Sequence, residues 1–169
     1  MLRIFLAVFI VLTFAVFFLN PLIAIGRRVN LFRIERNKNA NVVMYDAILD
    51  SNGNIDSSSP IDSYWILYAR RGERSEINTI EKKAYGFNAV YNSRGYYDLT
   101  LRAAPDVNIK VVMVDDEPKA VIKINNRDAY LSTIFVFAEG NLVPSVLYYT
   151  LTGTDVKDGV RITQRVNVD

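Results

Sequence analysis

The side chains able to do chemistry in this chain are carboxylates, arginines, lysines, tyrosines and amides, because neither histidine nor cysteine occurs among its 169 residues. Ser/His and Cys/His nucleophiles, an imidazole general base and a conventional zinc site are thereby excluded. Three clusters concentrate what is left. The first, Arg33, Glu35, Arg36, Lys38, Asn39 and Asn41, gathers charge and amide groups around a turn. Arginines so placed could grip a carboxylate or phosphate in bidentate fashion. A solvated strand face with Asx turns accounts for the same residues, and Asn37 to Asn41 could bond to backbone or ligand alike. The second cluster runs from Asp62 to Arg71 and holds the only tryptophan, Trp65. On a strand, Tyr64, Ile66, Tyr68 and Arg70 face one way and Trp65, Leu67 and Ala69 the other. Rings with polar tips beside a cation could line a cavity or simply cover a half-buried surface.

The third cluster, Asp50-Ser51-Asn52-Gly53-Asn54-Ile55-Asp56, spaces oxygen side chains at alternate positions, as a calcium loop begins. Ile55 then falls where such a loop needs glycine, and Ile61 where it needs the bidentate glutamate, so a polar hairpin loop is the better account. No metal site and no cofactor is expected. Asp62, Glu35, Glu76 and Glu81 are the carboxylates within or near the first two clusters that are weighed for acid and base work, and no spacing makes any two of them an acid/base dyad.

The elements that must position these residues read as short apolar or alternating runs between turn residues, the pattern of antiparallel strands. Leu31 to Arg36, Val42 to Leu49, Tyr64 to Arg70, Phe87 to Tyr91, Tyr96 to Ala103, Ile109 to Asp115, Lys119 to Asn125, Tyr130 to Ala138, Ser145 to Thr152 and Val160 to Val166 qualify, about ten strands in all. Asn52-Gly53, Arg94-Gly95, Asp116-Glu117-Pro118, Gly140-Asn141 and Asp158-Gly159 supply the turns. In Lys119 to Asn125, Ala120, Ile122 and Ile124 share one face and the charged or polar residues the other, as in a sheet wet on one side. Leu131-Thr133-Phe135-Phe137, Leu147-Tyr149-Leu151 and Tyr97-Leu99-Leu101 are the expected inner faces. One segment departs from the pattern. Ser75 to Gly86 sets Ile77, Ile80 and Ala84 on one stripe behind a capping serine, which predicts an amphipathic helix of about eleven residues plugging an open end. Ser51 to Ser63 reads as a mobile loop.

Ahead of all this stands an apolar leader. Ile4 to Leu19 carries no charge, and Leu22 to Ile25 follows Asn20-Pro21 before Gly26-Arg27-Arg28. The run is longer than a signal-peptide core of roughly 7 to 15 residues and shorter than the 18 or so of a membrane span. Counted through Ile25, at about 1.5 Å per residue it crosses a hydrocarbon core of roughly 30 Å. Residues 1–26 therefore form a signal peptide or an N-terminal hydrophobic membrane helix, and residues 4–25 are the membrane contact where cleavage does not occur. Either reading has the rest of the chain exported or tethered to a membrane. Arg3 is the only charged residue ahead of Arg27, so residues 27–169 carry 19 basic and 18 acidic side chains, a formal charge of +1. Such a balance shows no nucleic-acid footprint. The length suits one domain.

The segments Leu31 to Ala47 (LFRIERNKNANVVMYDA), Pro60 to Tyr68 (PIDSYWILY) and Ala84 to Phe87 resemble a family of bacterial exported domains of unknown function, over nearly all of the chain after the leader. The resemblance implies a bacterial envelope protein, periplasmic or anchored to the inner membrane, or secreted after cleavage, and carries over no catalytic residue. The expected fold is mainly β: an antiparallel barrel or two-layer sandwich with one short helix, spanning residues 27–169. Its expected role is to bind a small apolar or amphipathic ligand, or an envelope protein partner, without catalysis. The rim carrying Arg33, Glu35, Lys38, Asn39, Asn41, Tyr64, Tyr68 and Arg70 is the candidate site. The alternatives are an enzyme acting on cell-wall sugar or peptide through Glu35 or Asp62, and a structural or assembly role.

Overall fold

The computed structural model describes residues 26–140 and 145–168. The expected leader, apart from Gly26, lies outside the described residues, as does most of the turn expected after Gly140. Among the described residues no helix is long and apolar enough to cross a membrane.

Eleven strands form one mixed sheet: β1 Arg27–Arg36, β2 Asn39–Leu49, β3 Ile61–Leu67, β4 Glu73–Glu76, β5 Phe87–Asn92, β6 Tyr96–Leu101, β7 Ala104–Val114, β8 Glu117–Ile124, β9 Arg127–Glu139, β10 Ser145–Asp155 and β11 Arg161–Asn167. All ten expected strands are present, and β4 is added. The hairpins follow from local chemistry. Asp115-Asp116 and Asn125-Asn126 both hold positive φ at successive positions, the geometry of the tight turns that match strand twist.

Strand β9 organises everything else. One of its edges is divided, with β8 antiparallel along Arg127–Tyr130 and β1 parallel along Thr133–Val136. The other edge is taken antiparallel by β10, and β11 follows β10. Two arms thus leave the same strand, β1-β2-β3-β4 and β8-β7-β6-β5. Both supply one core cluster that includes Phe32, Tyr45 and Trp65 from the first and Leu99, Ile109 and Val111 from the second. Phe32 stacks on its cross-strand neighbour Tyr45 at 4.6 Å, and Tyr45 meets Phe87 of β5 edge-on at 6.1 Å.

The sheet is mainly antiparallel, as expected, with β1–β9 as its parallel pair, but it is one open sheet rather than the expected closed barrel or two-layer sandwich. A 13-residue strand gives one edge to two partners, so the sheet forks instead of wrapping, and β4 and β5 end as outer strands. Asn78 to Gly86 carries the chain between those two outer strands. Here the expected eleven-residue helix is a single turn, α1, Lys82–Tyr85, because β4 has already claimed residues through Glu76. The turn that leads into it is capped by Asn78 rather than Ser75. Asn78 Oδ1 accepts the N–H groups of Ile80 and Glu81, and Glu81 Oε2 accepts that of Asn78, a reciprocal capping box. Gly86 closes the turn where a Cβ would collide with the Lys82 carbonyl oxygen.

Two further corrections concern faces. Thr152 opposes Thr133 while Gly153 opposes Leu131, so Ser132 bulges from β9. Its hydroxyl donates to the Thr152 carbonyl. A bulge reverses which side later residues face. Ala129 and Leu131 are buried ahead of it and Ile134 after it, whereas Phe135 and Phe137 are only half-buried. A second irregularity between Val146 and Tyr148 leaves Leu147 exposed instead of inward. Tyr97, Leu99, Leu101, Ala120, Ile122, Ile124 and Leu151 are buried as the alternation requires.

Candidate functional site

The rim residues expected to act together are distributed over two faces of the first arm. Residues 43, 45, 61 and 65 point into the core, so Asp46, Asp62 and Tyr64 lie on the opposite face. There Asp46, buried, accepts the Tyr64 hydroxyl at 2.7 Å and the Asn30 amide at 2.9 Å. Asp62 is held by Arg28 at 3.1 Å and Arg74 at 2.8 Å, and the Arg74 guanidinium lies over the Tyr64 ring at 3.8 Å. Burial, followed by the Asp46 hydrogen bond and charge, pushes the Tyr64 hydroxyl up to about 12. Tyr64 is therefore separated from Tyr68 and Arg70. Strand β3 ends at Leu67, and a 3₁₀ turn over Tyr68–Arg70 breaks the alternation on which their grouping depended.

The remaining rim residues, Lys38 excepted, border two adjoining clefts. A small one of about 290 Å³ is lined by Arg33, Glu35, Asn39, Asn41 and Tyr68, and there Arg33 Nε donates to Glu35 at 2.6 Å. Lys38 is exposed on the β1–β2 turn. Asn37 serves the backbone: its amide donates to the Ala138 carbonyl and accepts the Ala138 N–H, both at 3.0 Å, extending the β1–β9 ladder by a side chain. Asn39 Oδ1 accepts the Asn41 N–H. Asp50 Oδ1 likewise accepts the N–H groups of Asn52 and Asn54, so the loop that begins like a calcium site is an Asx-type turn.

The larger neighbour is a polar cleft of about 530 Å³ whose walls include Arg36, Trp65, Arg70, Glu76, Glu81 and Tyr85. Arg36 sits at its centre. Its guanidinium lies over Trp65 at 4.6 Å and over Tyr85 at 5.5 Å, donates to the Tyr85 hydroxyl at 2.8 Å, and donates to Asn39 Oδ1 at 3.2 Å. Tyr85 is fixed from behind, because the buried Tyr45 hydroxyl donates to its carbonyl at 2.6 Å.

An apolar cleft of about 520 Å³ opens on the other side of Tyr85. Ile34, Leu101, Val107, Ile134, Val136 and Tyr149 contribute its walls, drawn from both arms and from β9 and β10, with Asp106 as its carboxylate. Burial and then the nearby Asp106 charge raise the Tyr149 hydroxyl above its ordinary range. A further cleft of about 360 Å³ shares Asp106, Val107, Tyr149 and Val166 with it and continues past Lys123 and Gln164. None of these wall residues belonged to the expected rim. Leu101, Tyr149 and the β9 residues announced themselves only as apolar strand positions, and a void between two arms leaves no local mark in sequence.

A family model described as a domain of unknown function (DUF4833) matches residues 32–165, the stretch that supplies nearly every wall of these clefts. The chain belongs to that family. In this DUF4833 domain Glu35 is tied to Arg33 and Asp62 to two arginines, and among the described residues no group of three or more His, Cys, Asp or Glu converges. Comparisons with curated proteins and with solved structures gave no match.

Proposed function

We propose that this DUF4833 domain binds a small ligand with an apolar body in the cleft between its arms, without chemistry on that ligand, and that it does so in the bacterial envelope. The observation that carries the reading is the apolar cleft of about 520 Å³ beside Tyr85 and Tyr149. Binding sites for small molecules typically enclose a few hundred to a thousand Å³, with apolar walls and a few polar groups that fix orientation. Asp106 and the Tyr149 hydroxyl are those polar groups here, so an amphipathic molecule with a hydrogen-bonding or cationic end suits the cleft better than a plain hydrocarbon. The envelope location rests on the apolar run of residues 4–25.

The test is a titration of the full-length chain, in an uncharged detergent, with a fluorescent apolar probe, together with native mass spectrometry of protein purified from its host. Saturable binding and a co-purifying small molecule are expected. Val146 lines the cleft and is 38% exposed. Val146→Asp should therefore weaken probe binding at least tenfold with little change in thermal stability. Absence of saturable binding, or binding indifferent to Val146→Asp, would remove the ligand reading. Recovery of the chain in the cytosolic fraction with its leader intact would remove the envelope one.

A further inference from the structure

We propose that the polar cleft behind the β1–β2 turn is a second site, one that recognises a small carboxylate, with Arg36 as the charged anchor and the Trp65 indole N–H beside it. Arg36 differs from the other arginines. Among the described residues, Arg28, Arg33, Arg70, Arg74 and Arg127 each pair with a carboxylate, and every other arginine that does not is exposed. Arg36 is half-buried, hydrogen-bonds only to the neutral Tyr85 hydroxyl and Asn39 amide, and otherwise faces the Trp65 and Tyr85 rings, none of which carries a full negative charge. A guanidinium withdrawn from water without a counter-charge is costly, and an entering anion relieves that cost.

Two donors in the same wall have no acceptor. Arg36 Nε and Trp65 Nε1 are both buried and unpartnered, and Trp65 is only 6% exposed. The carboxylates that share the cleft are engaged elsewhere: Glu76 is drawn to Arg74 at 3.3 Å, and Glu81 accepts the Asn78 N–H. They leave Arg36 unneutralised, yet their charge at the lip favours a singly charged carboxylate over a phosphate. Asn39 Oδ1 holds the place on Nη2 that an incoming carboxylate oxygen would take. Asn39 is exposed at the very start of β2, so its side chain can swing aside without disturbing the core. A carboxylate arriving there meets the planar fork that pairs with it in two parallel hydrogen bonds. This site does not depend on the apolar cleft, and its failure would leave that proposal standing.

Because Trp65 is the only tryptophan, the chain has a single indole N–H resonance. The full-length chain in uncharged detergent is titrated with N-acetylglycine, with its uncharged amide, and with inorganic phosphate, while that resonance is followed. N-acetylglycine is expected to move it saturably, at least tenfold more tightly than the amide and more tightly than phosphate, and raised salt should weaken the effect. Arg36→Lys, which keeps the charge and loses the fork, should bind at least tenfold more weakly. Asn39→Ala leaves Arg36 in place and should bind at least as tightly as the parent chain. An unmoved indole resonance, an equal response to the amide, tighter binding of phosphate, undiminished binding by a folded Arg36→Lys chain, or a tenfold loss in Asn39→Ala would each overturn the assignment.

Discussion

The Tyr64 hydroxyl donates to the buried Asp46 carboxylate across 2.7 Å, joining β3 to β2 on the face of the sheet that points away from the shared core. Asp46 sits directly opposite Asp62 in the ladder. Like charges in that position repel, so each needs donors of its own: Tyr64 and Asn30 at one, Arg28 and Arg74 at the other. Tyr64→Phe removes one donor from a buried carboxylate and is expected to lower the unfolding free energy by about 1–3 kcal/mol, read from urea denaturation.

The same hydroxyl sets a pH dependence. Burial and Asp46 raise it from 10.0 to about 12, so the folded protein holds this proton more tightly than the unfolded chain does. Its stabilising contribution is complete below pH 10 and is lost as the pH climbs toward 12. Other buried tyrosines titrate high as well, and a difference measurement isolates this one. Between those pH values the parent chain should lose stability more steeply than Tyr64→Phe, in parallel denaturation series.

Asn78 should matter beyond its own turn. Asn78→Ala removes the acceptor for the Ile80 and Glu81 N–H groups, at a cost of about 0.5–2 kcal/mol. Tyr85, at the end of α1, meets the Trp65 ring edge-on at 5.0 Å. The emission of Trp65 should therefore shift in Asn78→Ala under conditions where the chain remains folded. An unchanged spectrum would mean that Tyr45 and Arg36 hold Tyr85 without help from the Asn78 cap.

Gly153 marks the tightest approach at the β9 bulge. A Cβ there would lie 2.6 Å from the Tyr130 carbonyl oxygen and 3.1 Å from the Ile124 Cδ1. Backbone must move to admit it, and overpacking of this kind costs about 1–3 kcal/mol. Gly153→Ala should lower the thermal midpoint, and Gly53→Ala, at an open loop position of positive φ, should lower it less.

Strand positions were legible in the sequence because alternation and turn chemistry are local. Ala120, Ile122 and Ile124 against Lys123 and Asn125 announce both the strand and its buried face. Features that depend on distant partners were not legible. No signal in Arg33 to Arg36 says that its neighbour will be Thr133 to Val136, running parallel. The Ile77, Ile80 and Ala84 stripe mimics a helix, yet Ile77 is buried just past β4 while Ile80 is 79% exposed. Ser132 carries no mark of a bulge, and one extra residue turned Phe135 and Phe137 away from the interior. Of the candidate site, Asn39, Asn41 and Arg70 border the polar cleft, but its centre joins Arg36, Trp65 and Tyr85, residues 49 positions apart at the extremes.

The forked edge of β9 has a consequence for how the chain reaches this state. Arg33 waits for Thr133, so β9, the second partner of the first strand, is synthesised after all other strands but the last two. Loop closure over such a distance is slow, and the early hairpins spend that interval with an open border available to any neighbouring chain. The first arm lacks this partner until roughly residue 136 has been made, and shortening the chain from the carboxyl end past that point should yield aggregates rather than a smaller folded domain.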